Sequence, residues 1–183
     1  MGCLNVNTYL TQNPEVAKRV SGVIWSAPFF GMHEKYGMGN PVRKTMVKFL
    51  AMVLEEFVLS ASLSVNMNSR NKRYMREVIN SNKNFPMCSF GLIASCLRHF
   101  DNIQASAKSV TYPYLMVLGD KDAVVSNKAS KEWHAKTSSK VKSMRLMAGA
   151  YHELGKEPNN AVLFEASLQF LGDRIVGKAP AGA

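Results

Sequence analysis

Only three cysteines, Cys3, Cys88 and Cys96, occur in 183 residues, and neither a C-x-x-C pair nor a Cys/His ligand spacing connects them. An odd number of thiols so spaced argues against a structural zinc site and for a reducing compartment. The cytoplasm is the expected location, and neither a metal nor a cofactor is expected. The N-terminus shows no basic n-region followed by an apolar stretch, so it does not read as a secretory signal. No apolar run reaches the roughly 20 residues of a membrane span; the longest candidate, VKFLAMVLEEFVLSASL, is broken by Lys48, Glu55 and Glu56. Myristoylation of Gly2 would want Ser or Thr at position 6, where Val6 stands. There is no internal repeat, no basic run of five and no nucleic-acid motif. The net charge of +10 therefore reads as a basic solvated surface, and no nucleic-acid partner is expected.

With 46% apolar and 20% charged residues, the chain is long enough and apolar enough to bury a core. Leu4, Val6, Tyr9 and Leu10 are spaced as on a helix that Asn13-Pro14 ends near Gln12. VSGVIWSAPFF is β-rich and stopped by Pro28, as in a buried strand, and the Gly-punctuated GMHEKYGMGNP reads as a loop. From Val42 to Val58, Met46, Phe49, Leu50, Val53, Leu54 and Phe57 recur at three and four, which predicts a helix with much apolar surface. Further helices are predicted over 70–80 and 91–106. Residues 31–110 thus form a helical insert that carries six of the ten net positive charges. Beyond it, TYPYLMVLG, SNKASKEWHAKT, KSMRLM and PNNAVLFEASLQFLGDRI read strand, helix, strand, helix, which predicts parallel βαβ winding. The small, Pro/Gly-rich end of the chain is expected to be disordered.

In an open parallel sheet, reactive groups collect at the carboxyl ends of the strands. GDKDAVV follows the strand YLMVL and presents Asp120 or Asp122; AGAYHELGKE follows KSMRLM and presents His152. An acid and a later histidine on neighbouring strand ends are the orienter and base of a Ser-His-Asp triad. His99 and His134 fall within predicted helices, and His33 lies in the loop. The expected nucleophile, a serine on a G-x-S-x-G turn earlier in the chain, is not found: Ser26 and Ser95 lack the glycine two positions on.

Ser26-Ala27-Pro28, a helical insert, Gly119-Asp120-Lys121-Asp122 and Gly149-Ala150-Tyr151-His152 follow one another in the order found in the α/β-hydrolase superfamily. The sequence resembles in particular its monoacylglycerol lipase and lysophospholipase members (serine aminopeptidase S33 type), and SRNKRYMREVIN is similar to their cap. The resemblance implies an α/β fold holding the C-terminal part of a hydrolase, about three parallel strands with flanking helices and a cap. On this reading, residues 1–30 are the helix and strand after the nucleophile elbow and 31–110 the cap. Residues 111–176 continue the core and 177–183 are the tail. It further implies Asp122 as the triad acid and His152 as the base. The nucleophile serine would precede Met1, whose backbone N–H would then be an oxyanion-hole donor. Cys3 stands where many relatives have glycine. The implied substrate is a lipid ester, most like a monoacylglycerol, with peripheral membrane attachment through the cap. As it stands, a chain without the serine is expected to be inactive and, with an unpaired first strand, poorly soluble. A non-catalytic binding module and a lysophospholipase or other carboxylesterase are the alternatives.

Overall fold

A computed structural model describes residues 1–37, 40–60, 65–81 and 87–176; the predicted disordered tail at 177–183 lies outside these. The chain begins with α1 (Gly2–Gln12), followed at the predicted break by a short helix the sequence did not suggest, α2 (Pro14–Arg19). Proline at the first position of α2 costs nothing, since that N–H has no helical partner anyway. Strand β1 (Val23–Ser26) comes next, then a 3₁₀ turn over Glu34–Tyr36. The insert contributes α3 (Pro41–Val53), β2 (Val58–Ser60), α4 (Lys72–Ile79), β3 (Met87–Ser89) and α5 (Phe90–Ser106). The final part is β4 (Tyr114–Gly119), α6 (Asn127–Lys136), β5 (Lys142–Met147) and α7 (Ala161–Val176).

The core sheet has three parallel strands in the order β1-β4-β5. It is the predicted α/β arrangement, with the helical insert lying between β1 and β4 in the chain. All six residues of β4 are buried, as befits a central strand covered on both faces. Its side chains alternate: Tyr114, Met116 and Leu118 join the cluster under α1, α5 and α6, whereas Leu115 and Val117 join Leu163 and Phe170 of α7. On the first face Trp25, Phe30, Tyr114 and Trp133 form a chain of aromatic contacts with ring centroids 4.6–6.3 Å apart, an edge-on and tilted packing that the ring quadrupoles favour. Asn7 of α1, wholly buried, accepts the Tyr112 hydroxyl at 2.8 Å and so ties the helix to the entry of β4.

Two features of the insert depart from the sequence expectation. The helix predicted to reach Val58 stops at Val53 with Leu54 as its cap. Val58–Ser60 instead pairs antiparallel with β3, Phe57 stacks on Phe90, and the Gly91 amide donates to the Glu55 carbonyl. Helical spacing at Phe57 loses to this tertiary pairing, the usual way local propensity is overridden. The two-stranded β2-β3 ribbon carried no alternation long enough to be read. The other boundaries follow capping chemistry: Asn40, Asn71, Ser89 and Ser126 each accept amide hydrogens from the first turn of the helix they precede.

The apolar face of α3 is only partly used for packing. Val47 and Ala51 are buried, but Val42, Met46, Phe49, Met52 and Val53 are exposed, Phe49 by 63% and Met52 by 83%. Lys44 and Lys48 hold α3 to α5 through Asp101, at 2.8 and 3.2 Å.

Candidate active site

The two loops singled out in the sequence meet at the carboxyl end of the sheet. Hydrogen bonds run between them: Asp120 N donates to Met147 O at 3.2 Å and Lys121 N to Ala150 O at 3.0 Å. Gly119 permits the approach, since a Cβ there would collide with the carbonyl oxygens of Ala150 and Tyr151. Gly149 adopts a left-handed φ of +70° and turns the chain toward His152.

Asp122, not Asp120, is the acid brought to the histidine. Its side chain is 0% exposed; Oδ1 accepts the amides of Val124 (2.8 Å) and Val125 (3.0 Å), and Oδ2 lies 2.9 Å from Nδ1 of His152. An ionised carboxylate only accepts, so the proton of this bond sits on His152 Nδ1. Nε2 is left as the acceptor, with no hydrogen-bond partner among the described residues. His152 is 26% exposed. It lines a cavity of about 340 Å³ with Ser26 and Ala27 from the end of β1 and with residues 153–156. Ala27 has φ +43°, a left-handed conformation at a non-glycine residue. Such a conformation persists only where surroundings impose it, and it is enriched at functional sites. Here the Ala27 amide is held by the Val117 carbonyl at 2.9 Å.

The acid loop is braced from the side by the chain entering the cap. Ser126 N donates to Gly31 O, His33 N to Val124 O, and the Ser126 hydroxyl to Glu34 Oε1 at 2.6 Å. That last bond, stronger than the opposing effect of burial, holds the Glu34 carboxyl below the usual carboxylate range. The base loop is braced from the cap itself. Glu153 N donates to Asn68 O at 2.7 Å, the Tyr74 hydroxyl to Glu153 Oε2 at 2.7 Å, and Ser69 Oγ to Lys156 O at 3.1 Å. Burial, then the bond to Glu153 and its charge, push the Tyr74 hydroxyl up to about 12. The fully buried carboxylate of Glu157 accepts from both N and Nε of Arg70, at 2.8 and 2.6 Å. Arg70 Nη2 also donates to Asn159 Oδ1 at 2.8 Å.

Arg70 and Glu157 both fall within the stretches quoted from the sequence, but no spacing rule pairs a cap arginine with a glutamate 87 residues on. The remaining histidines stay apart from the site. His33 Nδ1 accepts Lys35 N at the 3₁₀ turn, His134 Nδ1 lies 3.0 Å from the Tyr114 hydroxyl, and His99 Nδ1 is buried without a partner. Cys3 Sγ accepts the Phe29 amide at 3.0 Å, and burial pushes the thiol above its ordinary value. Met1 caps α1 through its carbonyl, which accepts Leu4 N at 2.9 Å. Among the described residues no group of three His, Cys, Asp or Glu is placed to hold a metal ion, and no helix is long and apolar enough to cross a membrane.

Residues 1–159 match the family model described as serine aminopeptidase, S33. The chain belongs to that family. The S33 chain shares its fold with a monoacylglycerol lipase from Paleococcus ferrophilus (TM-score 0.81, 22% identity, 94% of this chain and 65% of that one). It shares it also with a soluble variant of monoglyceride lipase from Saccharomyces cerevisiae (TM-score 0.77, 19% identity, 94% and 61%). In sequence it is 23% identical over 158 residues to phospholipase YtpA of Bacillus subtilis (strain 168), covering 86% of this chain and 60% of the relative. The S33 chain thus spans 60–65% of the length of these relatives.

Proposed function

We propose that this S33 chain is the acid–base and cap portion of a serine hydrolase of lipid esters, most like a monoacylglycerol lipase. The observation that carries the reading is the Asp122–His152 pair. A buried carboxylate fixes the imidazole tautomer and leaves Nε2 free at a cavity. In this reading His152 takes the proton of a serine hydroxyl as the oxygen attacks the ester carbonyl, then returns it to the departing glycerol oxygen. A water deprotonated by the same Nε2 next releases the fatty acid from the acyl-enzyme. Asp122 stabilises the imidazolium formed in each step without itself taking the proton.

The nucleophile is proposed to lie before Met1, with the Met1 backbone N–H as an oxyanion donor. Two observations support this. Neither Ser26 nor Ser95 occupies a G-x-S-x-G turn, and among the described residues β1 lies at an edge of the core sheet. The exposed face of α3 suits contact with a lipid surface through which an acyl chain reaches the site; Val42, Met46 and Phe49 line a shallow apolar groove on it. Phospholipase YtpA among the relatives favours a second reading, a phospholipid or lysophospholipid ester as substrate.

The test is hydrolysis of a monoacylglycerol and of a lysophospholipid, together with labelling by a fluorophosphonate. The 183-residue chain is expected to do neither. The same chain extended by the in-frame codons upstream of Met1 is expected to do both, and to lose both with His152→Ala. Hydrolysis by the unextended chain that disappears with His152→Ala would place the nucleophile within these residues instead.

A further inference from the structure

The cap segment 68–74 grips the base loop on both sides of His152. On the C-terminal side, Asn68 O and the Tyr74 hydroxyl hold the backbone and side chain of Glu153, the residue next to His152. On the N-terminal side, the Arg70 guanidinium lies over Gly149, so close that a Cβ there would be 2.9 Å from Nη1. Asn159 completes the grip: its Oδ1 accepts from Arg70 and its Nδ2 donates to Ala148 O at 3.2 Å, just ahead of the turn. Glu157, buried beneath, anchors Arg70 through two bonds. A planar fork that spans a carboxylate and an amide oxygen fixes direction as well as distance, which a single lysine ammonium does not.

We infer that Arg70 is a positioning residue for the catalytic base: through Glu157, Asn159 and Gly149 it fixes the loop that aims His152 at Asp122, so that the cap is a structural part of the catalytic pair. The inference rests on the proposed role of His152. Its physical logic is that a loop residue 26% exposed keeps a productive rotamer only if the backbone on either side is held, because small displacements of a catalytic group cost large factors in rate. β5 holds the near end of this loop, the Lys121 amide ties Ala150 to the loop of Asp122, and α7 does not begin until Ala161. The contacts from Arg70, Asn68 and Tyr74 add the restraint from the cap side.

The experiment is solution NMR of the ¹⁵N-labelled chain. It reads the hydrogen-bonded Nδ1–H proton of His152 and its exchange with water, with the indole N–H signals of Trp25 and Trp133 as a monitor of the core. In Arg70→Met, exchange of the His152 proton is expected to accelerate by at least about tenfold, because the loop opens locally more often, while the indole signals stay in place. Arg70→Lys separates positioning from charge: it is expected to recover the melting temperature but to keep the fast exchange. Should Arg70→Met fail to fold, Arg70→Lys and Asn159→Ala decide, the latter removing only the bridge to Ala148. Unchanged exchange in those variants overturns the inference and leaves the hydrolase reading intact. Absence of the Nδ1–H signal in the unmodified chain would instead count against the Asp122–His152 pair itself.

Discussion

Nδ1 of His152 and Oδ2 of Asp122 stand 2.9 Å apart, and the carboxylate that accepts this hydrogen bond is closed off from solvent. Asp122→Asn keeps an oxygen for the amides of Val124 and Val125 but sets an NH₂ group against Nδ1, which drives the imidazole proton to Nε2. On the proposed function, kcat toward a monoacylglycerol in a chain that carries the nucleophile should fall by about 10⁴-fold, with the melting transition little changed. Asp122→Ala should in addition destabilise the fold by about 1–3 kcal/mol, since the buried amide of Val125 and the half-buried amide of Val124 lose their acceptor. Full activity in Asp122→Asn would remove this residue from the mechanism.

The two glycines of the site should respond differently to alanine. At Gly119 the added carbon meets the backbone of Ala150 and Tyr151, which has no rotamer to escape into. A loss of about 1–3 kcal/mol is expected from overpacking, together with separation of the acid and base loops. At Gly149 the added carbon meets the end of the Arg70 side chain, but φ +70° is itself unfavourable for alanine by about 1–2 kcal/mol. Urea titration measures both. Only Gly119→Ala is expected to alter the His152 Nδ1–H signal more than Arg70→Met does.

Tyr74 links cap to base loop as a neutral donor, and its hydroxyl titrates at about 12 rather than 10. A group whose pKa rises on folding contributes stability in full below its unfolded value and loses it as pH climbs through the folded one. The contribution of Tyr74 should therefore be constant up to pH 10 and vanish between about 10 and 12. The difference in tyrosinate absorbance between the parent chain and Tyr74→Phe should show a midpoint near 12; a midpoint at 10 would mean that the bond to Glu153 is not formed in solution.

Phe49 and Met52 protrude from α3 and stay mostly exposed. Phe49→Ser with Met52→Ser should change stability by less than about 0.5 kcal/mol per site, as for exposed positions generally. The same pair should reduce sedimentation of the chain with vesicles of mixed neutral and anionic phospholipid. Equal sedimentation of parent and variant would take α3 out of any lipid contact.

Much of this architecture is visible in the chain before folding. YLMVLG reads as a strand because a buried parallel strand is a continuous apolar run, KSMRLM as the half-exposed strand at the edge beside it, and the glycines near their ends mark the loops that carry Asp122 and His152. The choice of Asp122 over Asp120 rests on family spacing, and Asp122 is the one whose carboxylate lies 2.9 Å from Nδ1 of His152. What stayed hidden depended on distant partners. Leu54–Phe57 continues a helical pattern but is captured by β3 and Phe90, and the grip of Arg70 on Glu157 joins residues that no periodicity relates. The strain at Ala27 was equally hidden, since nothing about Ser-Ala-Pro announces a left-handed alanine.

Asp122 and His152 are separated by only 30 positions, with one helix and one strand between them. Closing so short a loop costs little chain entropy compared with pairings across a whole domain. The two side chains are thus brought together by one β4-α6-β5 stretch of chain, through the pairing of β4 with β5. On the proposed function, the serine hydroxyl meets an imidazole whose tautomer the Asp122 carboxylate has already chosen.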